Sequence, residues 1–280
     1  CLAGGATGRN GGHMWPVNSF WYQEAQSFLN WLRMHKIDAD VVVEKNENGQ
    51  LKGQFFPAKV VAGIAGIVRE RGVWIQTRCR VTKVNQRTVE LGDKGTINCE
   101  HVILATNAYT PFLVPFFKGK ITPTRGQMVV TKPLPPKTWL TNSNDYTDEL
   151  GDIYTIQRRV DHRIFCGGAR YVSPTKEETS DDSTINPDIS KALKLYLNEK
   201  VQPLKPEVEM EWTGIMGFTE KRETFIGQFS PGQWVCAGFT GNGMPRCWPC
   251  ARELVELIVN NDNNLYCGIP KGKEKERSRL

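Results

Sequence analysis

A layered α/β fold enclosing a β-rich region is the class this 280-residue sequence predicts, on three observations. Two stretches in the first quarter of the chain carry apolar residues at helical spacing. Within EHVILAT the run from His101 to Ala105 is nearly all apolar, like a strand buried on both faces of a layered sheet. Between Ile121 and Gly217 the strands are bounded by turns instead of helices, which indicates a second sheet, antiparallel or mixed.

In chain order, CLAGGATGRNGGHMWP opens with five glycines between Gly4 and Gly12. Such a loop either lays backbone N–H groups against a ligand, with Arg9, Asn10 and His13 as polar groups, or serves as a plain linker. In FWYQEAQSFLNWLRMH, Trp21, Ala25, Phe28 and Leu32 share one face, so residues 20–34 read as an amphipathic helix. A short strand over Asp40 to Glu44 and a turn over Asn46 to Gly49 follow. FFPAKVVAGIAGIVRERG predicts a helix from Pro57 to about Arg71, with proline in its first turn and Gly72 at its end. VWIQTR, CRVTKV, RTVELG, TINC and EHVILAT then read as a strand, an antiparallel meander and a return strand.

The β-rich region contains ITPTRGQMVVT, DIYTIQRR and HRIFCGGARY, a polar acidic loop from Pro174 to Asp188, a helix from about Ile189 to Glu199, and VEMEWTGIMG. Layered logic returns in QWVCAGFTGNGMPRCWPCARELVELIVNN, an apolar strand, a Gly-rich turn and a helix with Pro249 placed in its first turn. From about Asn261 the chain is polar and expected to fray.

A hydrophobic fraction of 39% is enough to bury a core. The net charge of +6 comes from 36 basic against 30 acidic residues, and much of the excess sits in Lys271, Lys273, Lys275, Arg277 and Arg279. That is a tail and not a nucleic-acid face, because elsewhere the charges alternate in sign. No apolar run approaches the roughly 20 residues that span a bilayer, so no membrane partner is expected. The eight cysteines form no regular framework, which favours a reducing compartment. CWPC, Cys247 to Cys250, has redox spacing but lacks a second pair for zinc, so buried thiols at a helix start are the expectation.

Gly238, Gly241 and Gly243 follow a strand and precede a helix, where backbone can approach a ligand and the helix start favours negative charge. GFTGNG does not have the spacing of the dinucleotide fingerprint, and by itself leaves a ligand contact and a tight turn equally open. ATNAY, Ala105 to Tyr109, ends its strand in small residues, as sheets do where a cofactor crosses their carboxyl edge.

Together GATGRNGGH, EHVILATNAY followed by PTRGQM, WTGIMGFT and AGFTGNGMPR resemble, in order and spacing, the D-amino-acid-oxidase-like family of FAD-dependent oxidoreductases, which includes glycine, sarcosine and amine oxidases of similar build. The resemblance runs from residue 1 to about 260. It implies a glutathione-reductase-like FAD-binding domain (residues 1–34, 54–115 and 231–262), a β-rich substrate domain (35–53 and 116–230) and a flexible basic tail (263–280). Around FAD it places Ala6, Thr7, Arg9, Asn10, Gly11, Gly12 and His13, then Val81 at the adenine, Ala105, Thr106 and Asn107, and Thr240, Gly241, Asn242, Gly243 and Met244. The implied reaction removes hydride from a carbon bearing an amine or amino-acid nitrogen, with oxygen as acceptor giving peroxide. Substrate-side candidates are His13, Arg125, Tyr154 and Arg158, with Arg159, Arg170 and Trp212 beside them.

The sequence also departs from the family. Members ordinarily open with a strand, a GxGxxG turn, a helix and a strand ending in an acidic residue; these 280 residues contain no GxGxxG, so the fold is expected to be incomplete, with exposed apolar strand edges and weakened FAD binding. The stretch from Leu32 to Phe55 is short, and Lys221 and Thr224 stand where Asp and Pro are usual. The alternative is therefore a truncated or degenerate homologue that cannot hold FAD. Finally, Ser278, Arg279 and Leu280 resemble a peroxisomal address, which would make the import receptor a partner and the peroxisome the compartment.

Overall fold

The computed structural model describes residues 2–14, 19–45, 51–135, 152–158, 160–202 and 204–269. The Asn46–Gly49 turn, Arg159 and the Ser278, Arg279, Leu280 tripeptide lie outside them.

The opening loop contains one helical turn, α1 (Ala6–Arg9), and leads to β1 (His13–Met14) and α2 (Ser19–Met34). The next strands are β2 (Val42–Lys45), two residues later than expected, and β3 (Leu51–Gln54), which lies between β1 and β2 in a small antiparallel sheet. The helix α3 (Pro57–Glu70) starts at its proline as expected. Ala25, Phe28, Leu29 and Leu32 of α2 are buried against Met14, Phe55 and Val60, so the apolar face read from spacing is the packed face.

VWIQTR forms no strand. Residues 73–77 have no regular secondary structure, and Trp74 is 96% exposed. The apolar alternation was visible in the sequence, but a strand also needs a neighbouring backbone to bond, and no described segment supplies one. The meander follows as β4 (Lys83–Val84), β5 (Thr88–Glu90) and β6 (Thr96–Asn98), and the return strand as β7 (Val102–Leu104). Burial of β7 on both faces was expected; instead Val102 and Leu104 pack into the core while Ile103, on the opposite face, is 49% exposed. A short helix α4 (Thr110–Leu113) precedes the long β8 (Thr122–Thr131).

The β-rich region continues with β9 (Tyr154–Gln157), β10 (Ile164–Gly167), α5 (Pro187–Lys200) and β11 (Val208–Phe218). Its sheet has the order β11-β8-β10-β9, antiparallel throughout. Asn186 caps α5 by accepting from the backbone of Asp188 and Ile189, and Pro187 follows at the first helical position. Ile189, Leu193 and Leu197 then pack on Val129, Ile164 and Cys166, covering one face of this sheet.

The last elements are β12 (Phe225–Ser230), β13 (Gln233–Ala237), α6 (Gly243–Val259) and β14 (Leu265–Cys267). They give a sheet ordered β14-β12-β13-β7 in which β13 runs parallel to β7. Two expectations are corrected. The segment after Asn261 does not simply fray: β14 pairs with β12 and Ile269 is buried. The C-terminal helix begins six residues before Pro249, which lies inside it. Pro245 occupies the first turn, and the bond that Pro249 cannot donate would have gone to that proline's carbonyl.

At Gly217 a Cβ would stand 2.8 Å from Asn107 Oδ1, 3.0 Å from the Ala108 nitrogen and 3.1 Å from Ile121 Cγ2. Backbone lies on one side and a core side chain on the other, so relief is limited. Gly217→Ala is expected to destabilise by about 1–3 kcal/mol, read from chemical unfolding, whereas Gly66→Ala, with open space around it, should be neutral or stabilising.

Candidate functional site

The sequence motifs meet along β11, the edge strand of the β-rich sheet, and the face of that sheet away from α5 is apolar. Cross-strand register puts Trp212 opposite Met128, Gly214 opposite Gly126 and Met216 opposite Thr124, while Tyr154 lies opposite Gly167. Residues directly opposite share a face, so Tyr154, Met128, Trp212, Met216 and Phe218 form one apolar surface.

The opening loop lies on this face. A Cβ on Gly214 would come 3.4 Å from the Ala6 Cα, and one on Gly11 would come 3.5 Å from Ile156 Cγ2. Trp212 Nε1 donates to the Arg9 carbonyl at 2.6 Å, and the Arg9 guanidinium donates to the Thr213 carbonyl at 2.9 Å and to Asp182 at 2.7 Å. Asn10 fixes the loop internally: its Nδ2 donates to the Ala6 and Thr7 carbonyls and its Oδ1 accepts from the Gly12 N–H.

The other two motifs meet at Asn107. Its Oδ1 accepts from the backbone N–H of Gly238 at 2.9 Å and of Phe239 at 3.3 Å, and its own φ of 42° is a left-handed value that Asn tolerates. Thr240 donates its N–H to the Gly217 carbonyl at 2.8 Å, and its Oγ1 accepts from the Thr219 N–H. The C-terminal loop is thereby pinned beside the end of β11, where a Cβ on Gly241 would be 3.7 Å from the Phe218 ring and 3.8 Å from Met216 Sδ. No side chain caps the start of the long helix α6, so its first-turn N–H groups remain available beside the exposed Gly241 and Asn242.

His13 packs edge-on against Tyr154, with ring centroids 5.3 Å apart. Although the residue keeps some exposure, its Nε2 has none, and burial pushes the imidazole down to about 3. Burial pushes the Tyr154 phenol up to about 12, and its hydroxyl donates to Met128 Sδ. Arg125 is taken up by Glu177 at 2.6 Å and by the Thr184 hydroxyl, and Arg158 pairs with Asp161 while lying over the Phe56 and Phe165 rings. Arg170 pairs with Asp152 and lies over Phe218.

The family model for FAD dependent oxidoreductases, DAO, matches residues 50–257, well over half of the chain. The chain belongs to the DAO family of FAD-dependent oxidoreductases. A curated relative, the probable oxidoreductase OrdL of Rhizobium meliloti, is 24% identical over 219 residues, covering 76% of this chain and 49% of that protein. The chain thus spans about half the length of that relative. Similar solved structures include glycine oxidase from Bacillus cereus (TM-score 0.76, 14% identity, covering 93% of this chain and 86% of that one). Another is iminodiacetate oxidase from Chelativorans (TM-score 0.65, 13% identity, 92% and 87%). L-proline dehydrogenase from P. horikoshii is a third (TM-score 0.62, 17% identity, 89% and 72%). These likenesses establish the DAO-type fold.

A DAO member implies FAD, and the chemistry of the three loops suits the ring end of that cofactor. Ala105, Gly241 and Asn242 are exposed, small or polar, and the uncapped α6 start offers backbone donors to an acceptor-rich ring. Of the residues nominated from sequence, Ala6 to His13, Ala105 to Asn107 and Thr240 to Met244 converge through β11, whereas Val81 lies in the stretch leading into β4. Arg125 serves as an anchor for the 174–186 loop, and Arg158 is held by its carboxylate and two rings, so neither guanidinium is a free anion hook. Sequence reasoning quoted WTGIMGFT without nominating Met216 or Phe218; its strand alternation, with glycines between large apolar residues, was the available signal.

Two outcomes follow from this geometry. Asn107→Ala should cost about 1–3 kcal/mol in unfolding free energy, since two part-buried N–H groups lose their acceptor, while Asn107→Asp, which keeps an acceptor, should lose less. For His13 the folded value lies below the ordinary 6.5, so the unfolded chain binds more protons between those limits. Stability is then full above about pH 6.5 and falls as pH drops toward 3, by at most about 1.4 kcal/mol per pH unit. His13→Phe should flatten that part of the profile, measured by urea unfolding at a series of pH values.

Proposed function

We propose that this DAO family member oxidises the C–N bond of an amine or amino acid by hydride transfer to FAD, with oxygen as acceptor giving peroxide. The observation that carries the reading is the convergence of the opening loop, the Asn107 segment and the α6 start on the edge strand β11. The substrates named for the similar structures, glycine, iminodiacetate and L-proline, all carry an amine nitrogen. In this reading residues 1–34, 54–115 and 231–262 build the flavin side and residues 35–53 and 116–230 the substrate side.

FAD, when bound, would supply the acceptor of the hydride, that is, of two electrons and one proton. Ala6 to Gly12, Ala105 to Asn107 and Thr240 to Met244 would hold its ring, and the chain's own residues do the rest. Tyr154, Trp212, Met216 and Phe218 orient the substrate carbon and keep water limited at the face. His13 is neutral across the physiological range and Tyr154 stays protonated, so both act by shape and not by proton exchange. The amine loses its C–H hydride and an N–H proton, giving an imine that water hydrolyses, while oxygen takes the two electrons of that hydride and, with its proton and the N–H proton, becomes hydrogen peroxide.

The test is the visible absorbance of the purified chain before and after adding FAD and desalting, followed by anaerobic addition of an amine and amino-acid panel. Retained flavin bands near ~370 and ~450 nm that bleach with a panel member, and peroxide formed on readmitting air, are the expected outcome. A folded but colourless chain would favour the homologue that cannot hold FAD.

A further inference from the structure

Among the described residues, Arg9, Arg158 and Arg170 border the apolar face and Arg125 lies behind it on the opposite face, and each is already paired with a carboxylate. Arg9 pairs with Asp182, Arg125 with Glu177, Arg158 with Asp161 and Arg170 with Asp152. The Arg170 pairing is tight: its Nε donates to Asp152 Oδ1 at 2.9 Å, a second guanidinium nitrogen reaches the same oxygen, and the Arg170 backbone N–H reaches Oδ2. Arg246, beside the C-terminal loop, donates instead to the Arg222 carbonyl at 2.8 Å. What the sheet itself presents between these pairs is Tyr154, Trp212, Met216 and Phe218, with Met216 lying over Gly126 and Ala6 and Arg9 over Gly214.

From this arrangement we infer that the substrate is an amine without a carboxylate on the reacting carbon, bound through an alkyl or aryl group. The inference rests on the oxidoreductase reading above and narrows its substrate class. A substrate carboxylate would have to displace Asp152 or one of its counterparts from an arginine, and the displaced charge would be left half-buried and unpaired. An aryl or alkyl group meets no such penalty, since it buries apolar area against rings and a thioether. An ammonium approaching those rings is also attracted to their faces, whereas a carboxylate is not. Met216 is the specificity-determining position: its sulfur lies between Gly126 of β8 and Gly241 of the C-terminal loop, where an arginine would create an unpaired cation.

Tryptophan fluorescence of the purified chain, titrated with benzylamine and separately with benzoate, tests this without relying on turnover. Saturable quenching by benzylamine, reduced about tenfold in amplitude or affinity in Trp212→Phe, with benzoate at least about tenfold weaker, is expected. Asp152→Asn should free Arg170 and improve benzoate binding about tenfold; should that variant lose its fold by circular dichroism, Met216→Arg makes the same prediction by adding a guanidinium to the face. Benzoate binding to the native chain as tightly as benzylamine, or binding of neither, overturns the inference. Benzylamine that binds but leaves the flavin of the FAD-loaded chain unbleached defeats the oxidase reading while leaving the charge selectivity supported.

Discussion

Everything at the site hangs on the close approach of other backbones to strand β11. Gly214 admits α1 on one side and Gly217 admits the Asn107 segment further along, and in both places a side chain would hold the partner off. The strand is itself rigid because it is bonded along ten residues of β8. Once β11 is fixed, the Arg9 carbonyl, the Asn107 side chain and the Thr240 N–H have one geometry in which all their hydrogen bonds are made. The position of the three loops is thus set by backbone donors and acceptors, and little depends on the surface side chains.

That arrangement explains which parts of the molecule were legible from sequence. Helices α2 and α3 were, because a 3.6-residue apolar period and a leading proline are local properties. The strand signals of β8 to β11 were legible for the same reason. Residues 73–77 and β14 were not: the first carries a strand-like pattern without a described partner, the second a polar sequence that a neighbour's backbone recruits. The loop residues could be nominated from glycine-rich motifs and family resemblance, but the bonds that join them link residues more than a hundred positions apart. Asp152 and Asp182, which decide what Arg170 and Arg9 can do, carry no local signature at all.

The electrostatics of the region share one tendency, which is to be neutral. His13 is held uncharged by burial, Tyr154 and Cys247 are pushed up to about 12 by burial, and Cys250 is pushed well above the ordinary thiol value by burial first and by its neighbouring cysteines second. Thiols so poised are not nucleophiles, which places CWPC among the packing residues of α6. Charges that do occur come in pairs. A low-dielectric, charge-balanced surface suits hydride chemistry, in which the transferred species is stabilised by a cofactor and protons need no side-chain relay.

The acidic loop between residues 174 and 186 joins these two themes. Burial would raise Glu177, yet hydrogen bonds from Arg125, Asn186 and Ser173 hold it below the ordinary carboxylate value, and the pair is nearly sealed, at 12% and 3% exposure. At the other end Arg9 and Asp182 are each about one-third exposed. Breaking the first pair strands a buried charge, whereas water and salt can replace the second at little cost. The loop is therefore anchored on β8 and fastened to α1 by a pair that ionic strength weakens. What keeps α1 in place when that contact is screened is the bond from Trp212 to the Arg9 carbonyl, an uncharged interaction that salt does not weaken.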